Sequence, residues 1–88
     1  MTQTSRNEPG AEWTENEGSL TRDFNFNNFV EAFGFMASVA LIAEKLNHHP
    51  EWSNVYNRVS IKLTTHEQGN VVTDLDRTFA SAVDQIAP

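Results

Sequence analysis

Three histidines are the only imidazoles in the chain, and two of them, His48 and His49, stand side by side before Pro50 at the end of its one long apolar segment. The third, His66, lies one predicted strand downstream. Histidine both gives and takes a proton near neutral pH, so this set suits general acid–base chemistry. Glu44 precedes His48 by four positions, and a helix persisting that far puts its carboxylate on the same face, one turn below the imidazole. A carboxylate there fixes the tautomer and orientation of the ring, as in a triad. The same spacing also describes an exposed helix end shared with Lys45, where a histidine meets the last carbonyls. Spacing does not choose between the two.

In extended backbone His48 and His49 point to opposite sides; a bend at Pro50 lets both reach one cavity. Three histidines match the number that holds a catalytic zinc, but adjacent histidines lack the i, i+4 spacing of helical ligands and there is no cysteine to help. Trp52 and Tyr56 flank the loop, with faces that serve either a flat heterocycle or ordinary packing. Asp74 and Asp76 fall in the first turn of a predicted helix, where the dipole favours carboxylates whatever their function.

The elements that must position these groups follow from the pattern of apolar residues. Residues 1–12 read as a loose polar arm with a turn at Pro9-Gly10, and residues 13–88 as one domain. Trp13 to Phe26 reads as a β-hairpin turning at Glu15 to Gly18, with Leu20, Arg22, Phe24 and Phe26 at period two. Asn27 or Asn28 caps a helix to about Leu46, with Glu31 near a capping-box position. That helix carries two apolar stripes: Phe29, Phe33, Met36, Ala40 and Ala43, and Ala32, Phe35, Val39, Ile42 and Leu46. One stripe suffices for a sheet, so the other is expected to meet a second copy. Asn47 to Ser53 reads as a loop, because Pro50 disfavours helix at His49. Val55 to Thr65 reads as a strand region with room for two strands, closed by His66; Val59, Ile61 and Leu63 alternate with polar residues. After a turn at Gly69-Asn70, Thr73 caps a helix to about Ile86 with Leu75, Phe79, Ala82 or Val83, and Ile86 inward. Strands and helices do not alternate as βαβ units, so the expected fold is α+β: an antiparallel sheet with helices on one face.

Composition narrows the function. Eighty-eight residues hold one core. Twelve acidic against six basic residues give a formal charge of -6, which repels nucleic-acid backbones and anionic membranes. The absence of cysteine removes disulfides, thiolate metal sites and a cysteine nucleophile. No apolar run of membrane-spanning length and no apolar leader is visible, so a cytoplasmic protein is expected.

Several segments together resemble pterin-4a-carbinolamine dehydratases: Phe24 to Phe29, Ala32 to Met36, Glu44 to Trp52, Asn54 to Asn57 and Leu63 to His66. The spacing resembles the family signature: an acidic residue, three residues, His-His-Pro, an aromatic, a further His and a downstream Asp. The resemblance runs from about Trp13 to Ile86. It implies a four-stranded antiparallel sheet with helices on one face in β-β-α-β-β-α order, assembled as a homodimer or homotetramer, here through the 28–46 helix. It implies loss of water from 4a-hydroxytetrahydrobiopterin to give quinonoid dihydropterin, in tetrahydrobiopterin recycling beside an aromatic amino-acid hydroxylase. No metal or organic cofactor is implied.

By the same resemblance, His48, His49 and His66 line the pterin site, with His48 and His66 in acid–base roles, His49 binding substrate and Glu44 orienting His48. Asn47, Trp52, Thr64, Thr65 and Asp76 are the implied substrate-binding positions. Asp76 rather than Asp74 matches the family's Asp when Asp76 to Ala80 is aligned. Two departures stand out: family members carry a first helix before the residue matching Trp13, which is shortened or missing here, and Gly69-Asn70 replaces a Gly-Gly pair. Animal relatives also bind a homeodomain transcription factor, so the alternative is an interaction module acting as a dimerisation cofactor of a transcription regulator.

Overall fold

The computed structural model describes Gly10 and residues 12–88. The expected loose arm and the shortened first helix therefore fall almost wholly outside the described residues. Strands β1 (Thr14–Asn16) and β2 (Ser19–Asn25) form a hairpin, followed by helix α1 (Phe29–Leu46), strands β3 (Glu51–Val55) and β4 (Arg58–Leu63), and helix α2 (Asp74–Ile86). The strands make one antiparallel sheet in the order β1-β2-β4-β3. This is the α+β architecture expected from the sequence. Among the described residues no helix is long and apolar enough to cross a membrane.

The β1–β2 connection is a two-residue turn with Glu17 at φ 50 and Gly18 at φ 81. Two left-handed residues suit the right-handed twist of the flanking strands. Period-two alternation then sets Leu20 opposite Leu63 and Phe24 opposite Val59 on the inner side, and all four are buried. Arg22, the break in the apolar face, lies opposite Ile61. Its guanidinium covers the Phe24 ring at 4.4 Å and donates to Asp84 of α2 at 2.6 Å. Asp84 also accepts from the Trp13 indole at 2.6 Å and the Gly10 amide at 2.7 Å, which ties the start of the described chain to its last helix.

Helix α1 begins where Asn28 accepts the Glu31 amide at 2.9 Å, while Glu31 reaches back to the amide of Asn27 at 3.1 Å. Its Ala32, Phe35, Val39 and Ala43 are buried against the sheet and α2. The first stripe divides: Phe29 and Phe33 stay 46% and 56% exposed, with their rings 5.7 Å apart.

Three boundaries differ from the sequence reading. β3 starts at Glu51, directly after Pro50, so the loop is short; Val55 ends β3 and Tyr56-Asn57 turns into β4. As an edge strand, β3 half-buries Trp52 and Asn54 and exposes Glu51, Ser53 and Val55, a pattern that lacks apolar alternation. Asn54 instead donates to the carbonyls of Tyr56 and Arg58. His66 does not close β4, which ends at Leu63; it opens a short 3-10 turn, His66–Gln68, beyond a bridge between Thr65 and Val71. The inner face of α2 is Asp76, Phe79, Ala80 and Val83, whereas Leu75 and Ala82 are half-buried and Ile86 is exposed. The helix is rotated from the expected face because a carboxylate occupies an inward position.

Candidate functional site

The end of α1 decides where the two adjacent histidines go. Asn47 adopts the left-handed conformation at φ 51, and its amide returns to the carbonyls of Ala43 and Glu44. The His48 amide closes back to the Ala43 carbonyl at 3.1 Å, the six-to-one bond of a helix ended by a left-handed residue. The chain reverses, so His48 is buried and His49 is exposed.

Each of the three histidines meets a carboxylate. His48 Nε2 lies 2.5 Å from Asp76 Oδ1, with the aspartate wholly buried. The ring stands edge-on to Phe79 with centroids 6.2 Å apart. Asp76 is in turn fixed through Oδ2, which accepts the Thr65 hydroxyl at 2.7 Å and the Thr73 amide at 3.0 Å. A carboxylate only accepts, so the proton of the Thr65 hydroxyl goes to Asp76 and Thr73 donates its own hydroxyl proton to Thr65, at 2.7 Å. A carboxylate on Nε2 holds the proton there and leaves Nδ1 as the exchangeable nitrogen. His48 Nδ1 makes no hydrogen bond among the described residues.

His49 Nε2 bonds Glu44 Oε2 at 2.8 Å on the exposed side. Glu44 thus pairs with His49, not with His48 as the four-residue spacing implied. The helix ends at Leu46, so its periodicity does not extend to His48. His66 is 62% exposed; Nδ1 meets Asn70 Oδ1 at 2.7 Å and Nε2 lies 3.3 Å from Glu51 Oε2. Both ring nitrogens of His66 therefore face oxygen atoms. Glu51 follows His49 and Pro50 directly, and this brings the His66 turn beside the His-His-Pro step.

The expected substrate-binding positions separate. Asn47 provides the left-handed helix ending. Trp52 is half-buried against the core. Thr64 and Thr65 are buried with their hydroxyls directed inward, to the Gly18 carbonyl at 2.7 Å and to Asp76. Asp76 has no exposed surface, and its carboxylate meets His48, Thr65 and Thr73. Among the described residues no group of three or more His, Asp or Glu is placed to hold a metal ion. Spacing missed the His48–Asp76 pair, although one signal pointed to it: Asp76 is three residues beyond the capping Thr73, where a carboxylate reaches back to the cap.

The sheet order, the two helices and three imidazole–carboxylate pairs define an α+β domain whose histidines are each held by an acid. The chain belongs to the pterin 4 alpha carbinolamine dehydratase family, a family of carbon–oxygen lyases, whose model matches residues 1–86. A relative from Prochlorococcus marinus strain SARG, provisionally named a pterin-4-alpha-carbinolamine dehydratase, is 53% identical across 84% of this chain and 76% of its own length. One from Rhizobium rhizogenes, with the same provisional name, is 58% identical across 78% and 67%. The crystal structure of a transcriptional coactivator/pterin dehydratase from Brucella melitensis superposes with a TM-score of 0.82 at 50% identity, covering 89% of this chain and 84% of that one. A pterin dehydratase-like protein described as a RuBisCO assembly factor in the alpha-carboxysome superposes with a TM-score of 0.71 at 25% identity, covering 84% and 87%.

Proposed function

We propose that this protein removes water from a 4a-hydroxytetrahydropterin, 4a-hydroxytetrahydrobiopterin in tetrahydrobiopterin recycling, to give the quinonoid dihydropterin. The observation that carries the reading is the contrast between His48 and His66. His48 is buried, held by Asp76 at one nitrogen and, among the described residues, without a hydrogen bond at the other, which suits a base. His66 is exposed between two oxygen atoms, which suits an acid that meets substrate. Hydroxide is a poor leaving group, so the acid gives its proton to the 4a-hydroxyl as the carbon–oxygen bond breaks and water departs. The base takes the proton from the neighbouring ring nitrogen, whose electron pair forms the new double bond to the ring carbon. Each positioned transfer contributes on the order of 10²–10⁴-fold. Asp76, held by Thr65 and Thr73, orients His48. His49, paired with Glu44, binds substrate at the rim together with Asn47 and Trp52, and Thr64 acts from behind.

The test is dehydration of a synthetic 4a-carbinolamine pterin followed by absorbance. Acceleration by the wild-type protein, and its loss in a folded His48→Ala, His66→Ala variant, is the expected result. Wild-type turnover by that double variant would refute the reading.

A second reading concerns assembly. Phe29 and Phe33 pair on the outer side of α1, and Leu41 on the same helix is 72% exposed. Such a face fits association with a second copy or a regulatory protein. Phe33→Glu is expected to lower the mass measured by light scattering to that of a single chain. An unchanged mass above that value would place the interface elsewhere.

A further inference from the structure

We propose that Gly18 is a positioning residue for His66, and that the β1–β2 turn is the footing of the His66 loop. The catalytic part of this rests on the reading of His66 as the acid; the geometric part does not. A Cβ built on Gly18 would stand 2.0 Å from the carbonyl oxygen of Asn70 and 3.2 Å from its carbonyl carbon. The obstacle is backbone, so no rotamer change relieves it. The turn and the loop meet main chain to main chain, and only a residue without a side chain permits that approach. Gly18 is also at φ 81, where other residues are strained.

The contact is tied down on both sides. Buried Thr64, at the end of β4, donates its hydroxyl to the Gly18 carbonyl at 2.7 Å. Asn70, left-handed at φ 61, gives its amide to the Thr65 carbonyl at 3.1 Å. Its side-chain Oδ1 accepts from His66 Nδ1 at 2.7 Å. Position thus passes from the Gly18 backbone to the Asn70 backbone, then through the Asn70 amide side chain to the imidazole. Moving Asn70 from 2.0 Å to the 3.4 Å at which ordinary contact begins shifts the group that holds His66 by more than 1 Å if the turn stays fixed. Misplacement on that scale costs on the order of 10²-fold in rate.

The test compares wild type, Gly18→Ala, Asn70→Gly and the double variant. Asn70→Gly keeps a left-handed backbone and deletes the acceptor. Imidazole nitrogen resonances are read at one pH, with circular dichroism to verify folding. Gly18→Ala is expected to shift the His66 nitrogens in the direction seen in Asn70→Gly and to leave those of His48 in place. The double variant is expected to shift no further than Asn70→Gly alone. In kinetics, kcat falls on the order of 10²-fold in each single variant, with a smaller change in KM. Unmoved His66 resonances in folded Gly18→Ala, or additive shifts in the double variant, overturn the proposal. If Gly18→Ala does not fold, unmoved resonances in Asn70→Gly overturn it instead. A wild-type protein without dehydratase activity removes the functional reading but leaves the resonance comparison intact, so the two fail separately.

Discussion

His48 and Asp76, separated by 28 positions in sequence, meet with Nε2 and Oδ1 2.5 Å apart, and the aspartate has no exposed surface. Asp76→Asn keeps the volume and replaces an oxygen acceptor by a donor, so one existing partner is opposed. We expect kcat to fall by about 10²–10⁴-fold, the range of one proton transfer, with KM nearly constant. Steady-state dehydration kinetics check this; a wild-type kcat would show that the pair is structural only.

Thr65 donates the bond that sets the far side of Asp76. Thr65→Val preserves shape but leaves a buried carboxylate oxygen short of a donor. The expected loss is about 1–3 kcal/mol of unfolding free energy, read from urea denaturation. Thr65→Ser retains the hydroxyl and is expected to restore most of it; equal loss in both variants would assign the effect to the methyl group.

The proposed roles fix the signs of the pH dependence. A base must be neutral, so activity through His48 is lost as pH falls. An acid must be protonated, so activity through His66 is lost as pH rises. The profile of kcat/KM is therefore expected to be bell-shaped. In His66→Ala the residual activity should lose its alkaline limb and keep the acidic one. Loss of the acidic limb instead would reverse the assignment.

Asp84 gathers Gly10, Trp13 and Arg22. Arg22 and Asp84 side chains are only 14% and 21% exposed, and Arg22 Nε is buried without a partner among the described residues. Asp84→Ala leaves the guanidinium and the indole N–H unpaired together. About 1–3 kcal/mol of destabilisation is expected, with changed tryptophan fluorescence before the main unfolding transition. A urea midpoint equal to wild type would contradict this.

The sequence made the regular elements legible wherever polarity and periodicity agreed. Leu20 and Phe24 alternate as a half-buried strand must, and Asn28 and Thr73 start their helices as the expected caps. Glu51 to Ser53, the first part of β3, reads as loop and only Val55 as strand, because the inward residues are Trp52 and Asn54, and the second serves a turn rather than the core. The histidines were legible as a chemical set, but their partners were not. Glu44 is one helical turn from His48 only while the helix continues. Asn47 ends it in the left-handed conformation, and the carboxylate passes to His49. Asp76 depends on how α2 lies against the sheet, and an apolar count rotates that helix away from any face that buries a charge.

Because Asp76 both accepts the Thr73 amide at the start of α2 and holds His48, helix register and imidazole orientation are one variable. One residue of slippage along a helix turns a side chain by about 100°. An insertion between Gln68 and Val72 disturbs the Asn70 contact with Gly18 and the Thr65–Val71 bridge, and so reaches His66, but it leaves the α2 register intact. An insertion between Thr73 and Asp76 carries the carboxylate around the helix and away from the ring. Length variation on the two sides of Thr73 therefore reaches different histidines: His66 before it and His48 after it.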